Sequence, residues 1–471
     1  MTPKHPPAAP PGDGTSGSAA PITRRQFLTG AAGLGLAWAA GRGGLDRLAA
    51  AAPVPKPAPA PGTLPPPGSS GLAHIVVVMM ENRSFDHFLG WLPGADGRQA
   101  GLTYLDRQNV PHPTHALAPD FQGCGLSDPD HSYRGARQEY HGAACDGWLQ
   151  AGSNDLYSIG YYTQADLSFL GAHAPYWTAC DRYFSAILGP TFPNRLYQYA
   201  AQTDRISNTK DISALPTIWD RLAAAGISAG YYYSDVPVLA LWGTRYFGIS
   251  HPLASFVAAC AAGTLPQVSF VDPSLFSGDL GNDDHPHADI RNGEAFLDQV
   301  YRAVTSGPAW PSTLLIINFD EWGGFFDHVP PPAAPIPPAD QLAGIVDGLR
   351  GFRVPCLLIS PWSPRATVAH SVYDHTSILK LIEWRWGLPP LTVRDASAYN
   401  LATALDFGQS TLTAPTPTVP PGPFGGACPA GESGPDLEWQ MLRDLARQHG
   451  WPIYGAATTD APSLSGKESH R

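Results

Sequence analysis

Ile75-Val76-Val77-Val78-Met79-Met80-Glu81-Asn82 and Leu314-Leu315-Ile316-Ile317-Asn318-Phe319-Asp320-Glu321 decide the fold of this chain. Each is a short apolar run that ends abruptly in a polar pair. Runs of Val, Ile and Leu without alternation read as strands covered on both faces, as in a parallel sheet between helical layers. In such sheets ligands bind beyond the carboxyl ends of the strands. Three carboxylates and an amide oxygen at two strand ends offer a hard, oxygen-rich site to one divalent cation. Ca²⁺, Mg²⁺ and Mn²⁺ suit such ligands better than Zn²⁺. The reading is an enzyme that uses a metal.

Further strands are predicted at Tyr183–Leu188, Ser228–Tyr233, Gln267–Val271 and Val354–Ile359. Helices are predicted at Asn194–Gln202, Thr217–Ala225, Ala288–Val304 and Thr376–Trp386. This alternation gives a three-layer α/β/α sandwich with a mostly parallel central sheet.

The amino terminus reads as an address. Thr23-Arg24-Arg25-Gln26-Phe27-Leu28 precedes a Gly/Ala-rich apolar stretch and then Ala49–Ala52. A basic pair, a short apolar region and small residues describe a twin-arginine signal, residues 1–51, and export by that machinery. A bilayer span needs about 20 apolar residues, and glycines interrupt this stretch. Residues 52–71 are a Pro/Ala-rich spacer, and 72–410 a single catalytic domain. Residues 411–471 hold a Pro-rich segment, a helix at Asp436–His449 and a disordered tail. The expected location is extracellular, periplasmic or cell-wall associated.

Charge narrows the partners. The formal net charge is −11, and the 51-residue leader carries five basic and two acidic groups, so the remainder stands at −14. Phosphate-backbone binding needs a basic stripe, which excludes nucleic acid as the main partner. Contact with a membrane surface would be transient, because nothing draws this chain to anionic lipid. Six cysteines allow up to three disulfides; Cys124 and Cys145, in one loop-rich segment, are the expected bridge, and Cys356 a buried thiol.

Gly189-Pro190-Thr191-Phe192-Pro193-Asn194-Arg195 follows a predicted strand and opens a helix, with Pro193 suited to its first turn. Thr191 beside a helix N-terminus is placed to favour a developing alkoxide and a bound anion, or simply to cap the helix. Loop histidines that can supply an acid are His285 and His287 in Asp283-Asp284-His285-Pro286-His287, His131 in Asp128-Pro129-Asp130-His131, and His328 after Asp327. Gly226-Ile227-Ser228-Ala229-Gly230 matches a nucleophile-elbow string, yet it lies before a strand rather than after one and is rejected.

These segments together, His74 to His87, Gly189 to Arg195, Asp284-His285-Pro286, Phe319 to Pro331 and Tyr373 to Leu379, resemble the phosphoesterase family of bacterial phospholipases C and acid phosphatases. The resemblance covers roughly Leu72 to Phe407 and implies an alkaline-phosphatase-like fold. It further implies that Glu81, Asn82, Asp320 and Glu321 hold one metal ion, with Thr191 as metal-activated nucleophile forming a phosphothreonine. His285 and His131 would contact the transferred phosphoryl group. Gly-Pro-Thr is similar to the phospholipase C branch, so the expected substrate is a choline phospholipid or another small phosphate ester. An acid phosphatase is the nearest alternative. A non-catalytic exported metal- or sugar-binding module is the remote one.

Overall fold

A computed structural model describes residues 64–431 and 437–455, together with the backbone of a two-residue strand at Lys56–Pro57. The expected signal sequence, half of the expected spacer and the last residues of the tail lie outside these limits. The central sheet is built from β1 (Lys56–Pro57), β2 (His74–Met80), β3 (Thr178–Cys180), β4 (Ala229–Tyr233), β5 (Ser250–Pro252), β6 (Val268–Asp272), β7 (Thr313–Phe319), β8 (Cys356–Ile359) and β9 (Thr367–Ala369). Their order across the sheet is β1-β9-β3-β8-β7-β2-β6-β4-β5. All neighbours are parallel except β8, which runs antiparallel to both β7 and β3. A mostly parallel α/β sheet is therefore the architecture, as its two apolar runs require.

Those runs lie side by side at the centre. Thr313 pairs with His74 and Phe319 with Met80, in register throughout. Ile75–Met80 and the whole of β7 are buried. Each such aliphatic side chain contributes roughly 1.5–3 kcal/mol when fully buried. The in-register pairing has a consequence for the site: Glu81 and Asp320, the next residues along, leave the sheet as neighbours.

The helices that matter are α1 (Thr191–Ala200), α2 (Ile218–Ala224), α3 (Ile290–Ser306), α4 (His375–Trp386) and α5 (Leu437–Gln448). Asp374 caps α4 through a reciprocal pair with Ser377, and Gly387 closes it with φ +65°. Trp439, Leu442, Leu445 and Ala446 of α5 belong to the same apolar core as β2 and β7. Among the described residues no helix is long and apolar enough to cross a membrane.

Two expectations need correction. The strand predicted at Tyr183–Leu188 is only Tyr183–Phe184, paired with Tyr373–Asp374 in a separate small sheet. Beyond it Ser185 and Leu188 donate to the loop carbonyls of Phe352 and Leu349, and the chain turns toward α1. The disulfide joins Cys124 to Cys428, with Cα atoms 5.5 Å apart, while Cys145 is a buried free thiol. Proximity in sequence misled, because the Pro-rich segment after residue 411 folds back across the domain. Cys356 is buried as expected. Ser228, in the rejected elbow string, merely bonds the Gln267 side chain.

Candidate active site

The corner made by Glu81-Asn82 and Asp320-Glu321 is held together by its own backbone. Asp320 N–H donates to the Met80 carbonyl, continuing the ladder. Asp320 Oδ1 accepts from the backbone amides of Asn82 (3.2 Å) and Glu321 (2.7 Å), and Oδ2 accepts from Arg195 Nε (3.1 Å). Glu321 Oε2 accepts from Gly323 N (2.7 Å). Gly323 has φ +64°, and a Cβ there would stand 2.2 Å from the Asn82 carbonyl. Only glycine permits the two corners to approach this closely. Asn82 itself takes φ +57°, a conformation that asparagine tolerates better than most residues.

Thr191 is the first residue of α1, and Pro190 is its N-cap. Its Oγ1 donates to Glu81 Oε1 at 3.3 Å, so the hydroxyl faces the corner rather than capping the helix. The Asn194 side chain fixes the approach, accepting from Ile187 N and donating to the carbonyls of Gly189 and Pro190. The amide of Phe192 is satisfied by Asn208 Oδ1 (2.8 Å). Arg195 lies fully buried beneath the corner, 3.7 Å from Glu81 Oε2 and 3.4 Å from Asp272 Oδ1. Its role is to neutralise the carboxylates from below, which the sequence left open.

The histidine loops come from two sides. The Asp283 carbonyl accepts from Glu81 N (2.9 Å), which ties the His285 loop to the end of β2. His131 Nδ1 donates to the Pro129 carbonyl (2.8 Å), and His285 Nδ1 donates to the carbonyl of Pro286. In both rings the bond to a carbonyl fixes the Nδ1 proton and leaves Nε2 facing the site. His131 Nε2 is 3.9 Å from Glu321 Oε1, and the two rings are 6.1 Å apart in an edge arrangement. His285 Nε2 is 3.9 Å from Asp128 Oδ2 and 3.6 Å from Glu438 Oε1. Thus Thr191, His131, His285 and both acidic pairs converge. His287 and His328 do not join them. His287 Nε2 bonds the Leu126 carbonyl, and His328 sits in an ion-pair network with Asp86, Asp96 and Arg353.

Sequence reading missed Glu438, in the first turn of α5. Nothing local marks it, since its place in the site depends on the fold-back of the preceding segment.

Electrostatics test whether this pocket fits a cation. Burial, and then the Asp320 charge, push Glu81 well above the usual carboxylate range. Burial also raises Asp320, against the pull of Arg195, and lifts Glu321 to about 8. Burial would lower His131, but Glu321, Asp128 and Glu438 raise it to about 9. Burial would raise Glu438, yet its bond and charge contact with His285 bring it down to about 2. Glu81 Oε2, Asn82 Oδ1 and Glu321 Oε1 are buried oxygens with no hydrogen-bond partner. Buried acceptors normally have partners, and a divalent cation would satisfy all three while offsetting the carboxylate repulsion. The donor set fits.

The chain belongs to the Phosphoesterase family, whose model matches residues 72–389. It is 33% identical to phospholipase C B of Mycobacterium tuberculosis, over 90% of this chain and 90% of that one. It is 32% identical to non-specific phospholipase C1 of Arabidopsis thaliana, over 69% of each. Among solved structures it aligns with a protein in the alkaline phosphatase superfamily from Vibrio parahaemolyticus, at 13% identity and a TM-score of 0.32, over 49% of this chain and 64% of that one. Family membership makes the chain a hydrolase of phosphoric ester bonds.

Proposed function

We propose that this protein is an exported, metal-dependent phospholipase C that hydrolyses the phosphodiester of choline phospholipids through a covalent phosphothreonine. The observation that carries the reading is the Thr191 hydroxyl, buried and aimed at Glu81, with two imidazole Nε2 atoms on the facing loops. Relatives named as phospholipases C along most of the chain support the reaction class. The Arg24-Arg25 leader supports export.

Thr191 Oγ attacks phosphorus, and the bond from phosphorus to the glycerol oxygen breaks. The threonine proton passes to Glu81 Oε1, its hydrogen-bond acceptor. An imidazolium on the facing loops, His285 in this assignment, gives a proton to the departing diacylglycerol oxygen. Water then attacks phosphorus, giving a proton to the now neutral His285, while the proton held on Glu81 returns to the Thr191 oxygen as the phosphorus–threonine bond breaks and phosphocholine leaves. A divalent cation held by Glu81, Asn82, Asp320, Glu321 and the threonine oxygen would stabilise the charge that develops on the phosphoryl group. Arg195, locked under the carboxylates, keeps that cradle in shape.

The test is a substrate panel on purified mature protein. Phosphatidylcholine and p-nitrophenylphosphorylcholine should be cleaved with release of phosphocholine, and Thr191→Ala should lose at least ~10³-fold in kcat while retaining its metal. Preferential turnover of p-nitrophenyl phosphate with no phosphocholine would make the enzyme an acid phosphatase instead. Near wild-type turnover by Thr191→Ala would remove the covalent step.

A further inference from the structure

Glu438 reaches the site from a helix that the catalytic motifs do not include. Its neighbour Trp439 is fully buried, with its ring 5.9 Å from that of Phe192 and 5.3 Å from the Arg195 guanidinium. That packing pins the start of α5 against the start of α1, where Thr191 lies. Glu438 then opens onto a cavity of about 620 Å³ whose lining includes Pro190, the residue before Thr191, and His131. Asp128 and Asp130 line the same cavity, and Arg134 is the only Lys or Arg among its lining residues. Asp130 spends one oxygen on the Ser132 amide, whereas Asp128 approaches the same His285 Nε2 as Glu438 does.

The substituent that stays on phosphorus while diacylglycerol leaves is the headgroup. With the phosphoryl oxygens at the two imidazoles, this cavity offers free volume beside His131. Its wall is acidic and partly withdrawn from water, where a charge–charge interaction is several times stronger than in bulk solvent. We propose that Glu438, together with Asp128, selects phospholipids whose headgroup carries an ammonium group, and that α5 is in this way part of the substrate site. The proposal rests on the phospholipase C reading above. It goes beyond it by naming the residues that discriminate and the charge they discriminate for.

Glu438→Gln and Asp128→Asn test it. Initial rates of diacylglycerol release are measured on dihexanoyl phosphatidylcholine, phosphatidylethanolamine and phosphatidylglycerol. In Glu438→Gln the kcat/KM ratios of both ammonium lipids over phosphatidylglycerol should fall about tenfold, because the favourable charge pair is lost while the glycerol headgroup loses none. Asp128→Asn should move the ratios the same way by a smaller factor, and it decides the matter if Glu438→Gln does not fold. A fall for phosphatidylcholine alone would mean that methyl packing, not charge, is read, and would overturn the proposal. So would ratios that stay within about twofold while all three rates fall together, which would make Glu438 a support for His285 only. A rise for all three lipids would also overturn it, showing that the carboxylate obstructs the phosphoryl position. A wild type that releases diacylglycerol from none of them would defeat the phospholipase C reading itself; an active wild type with unmoved ratios defeats only the headgroup role.

Discussion

Asp320 and Glu81 carry the same charge at the same corner, but their oxygens are committed differently. Both Asp320 oxygens already accept bonds, from two backbone amides and from Arg195. Glu81 Oε1 accepts only the Thr191 hydroxyl, and its Oε2 has no hydrogen-bond partner. Removing the Asp320 charge therefore leaves Arg195 under-compensated in a fully buried position, and breaking a buried pair from one side costs about 3–5 kcal/mol. Asp320→Asn should lose that much stability in urea titration as well as its metal. Glu81→Gln should lose metal affinity with a stability cost below about 2 kcal/mol, because it relieves a crowded carboxylate. Metal content by elemental analysis, alongside the two unfolding curves, checks both. Equal stability losses in the two variants would contradict the division of labour between hub and ligand.

At the scale of elements, the Cys124–Cys428 bridge closes a separation of 304 residues and fastens the strap that leads to α5. The strap also docks by itself: Asn292 bonds the backbone of Phe424, and Tyr301 and Arg302 donate to Pro415 and Pro417. A cross-link over so long a loop constrains the unfolded chain strongly, and the chain-entropy model allows up to ~5 kcal/mol. Cys124→Ser together with Cys428→Ser should lower the melting temperature by roughly 5–10 °C while the strap contacts keep the site assembled. Unchanged melting would mean that docking alone holds the strap. What was legible in sequence follows the same division between local and distant. β2, β7 and α1 were readable because apolar runs, Gly-Pro turns and polar strand ends are local signals. Thr191, His131 and His285 were singled out from a helix start and two polar loops, and the resemblance gave them their expected roles. The disulfide partner and Glu438 were not readable, since each depends on a fold-back that no local pattern encodes. Tyr183–Leu188 failed for a related reason: beyond Phe184 its backbone amides bond to loop carbonyls from residues 349 and 352 instead of a neighbouring strand.

For the molecule as a whole, the crowded corner makes folding, protonation and metal binding one linked equilibrium. Without a cation, Glu321 titrates at about 8, far above an ordinary glutamate, and His131 at about 9. Both values are raised in the folded state. Stability from the Glu321 proton is thus complete below its ordinary value of 4.5 and is lost as pH climbs through 8. The His131 share is complete below 6.5 and lost as pH passes 9. Glu294, buried under the Phe169 and Leu170 amides, is raised to about 8, and Glu383 to about 9; both slopes have the same sign and lie away from the corner. Chelated protein should consequently melt at least ~5 °C lower at pH 9 than at pH 6. With saturating divalent cation the slope should shrink by the share of the corner carboxylates, because metal displaces their protons, while Glu294 and Glu383 keep theirs. Metal affinity measured by calorimetry should tighten over the same interval, as protons stop competing with the metal for the carboxylates. Identical melting slopes with and without metal would sink the linkage, and with it the assignment of Glu321 as a ligand.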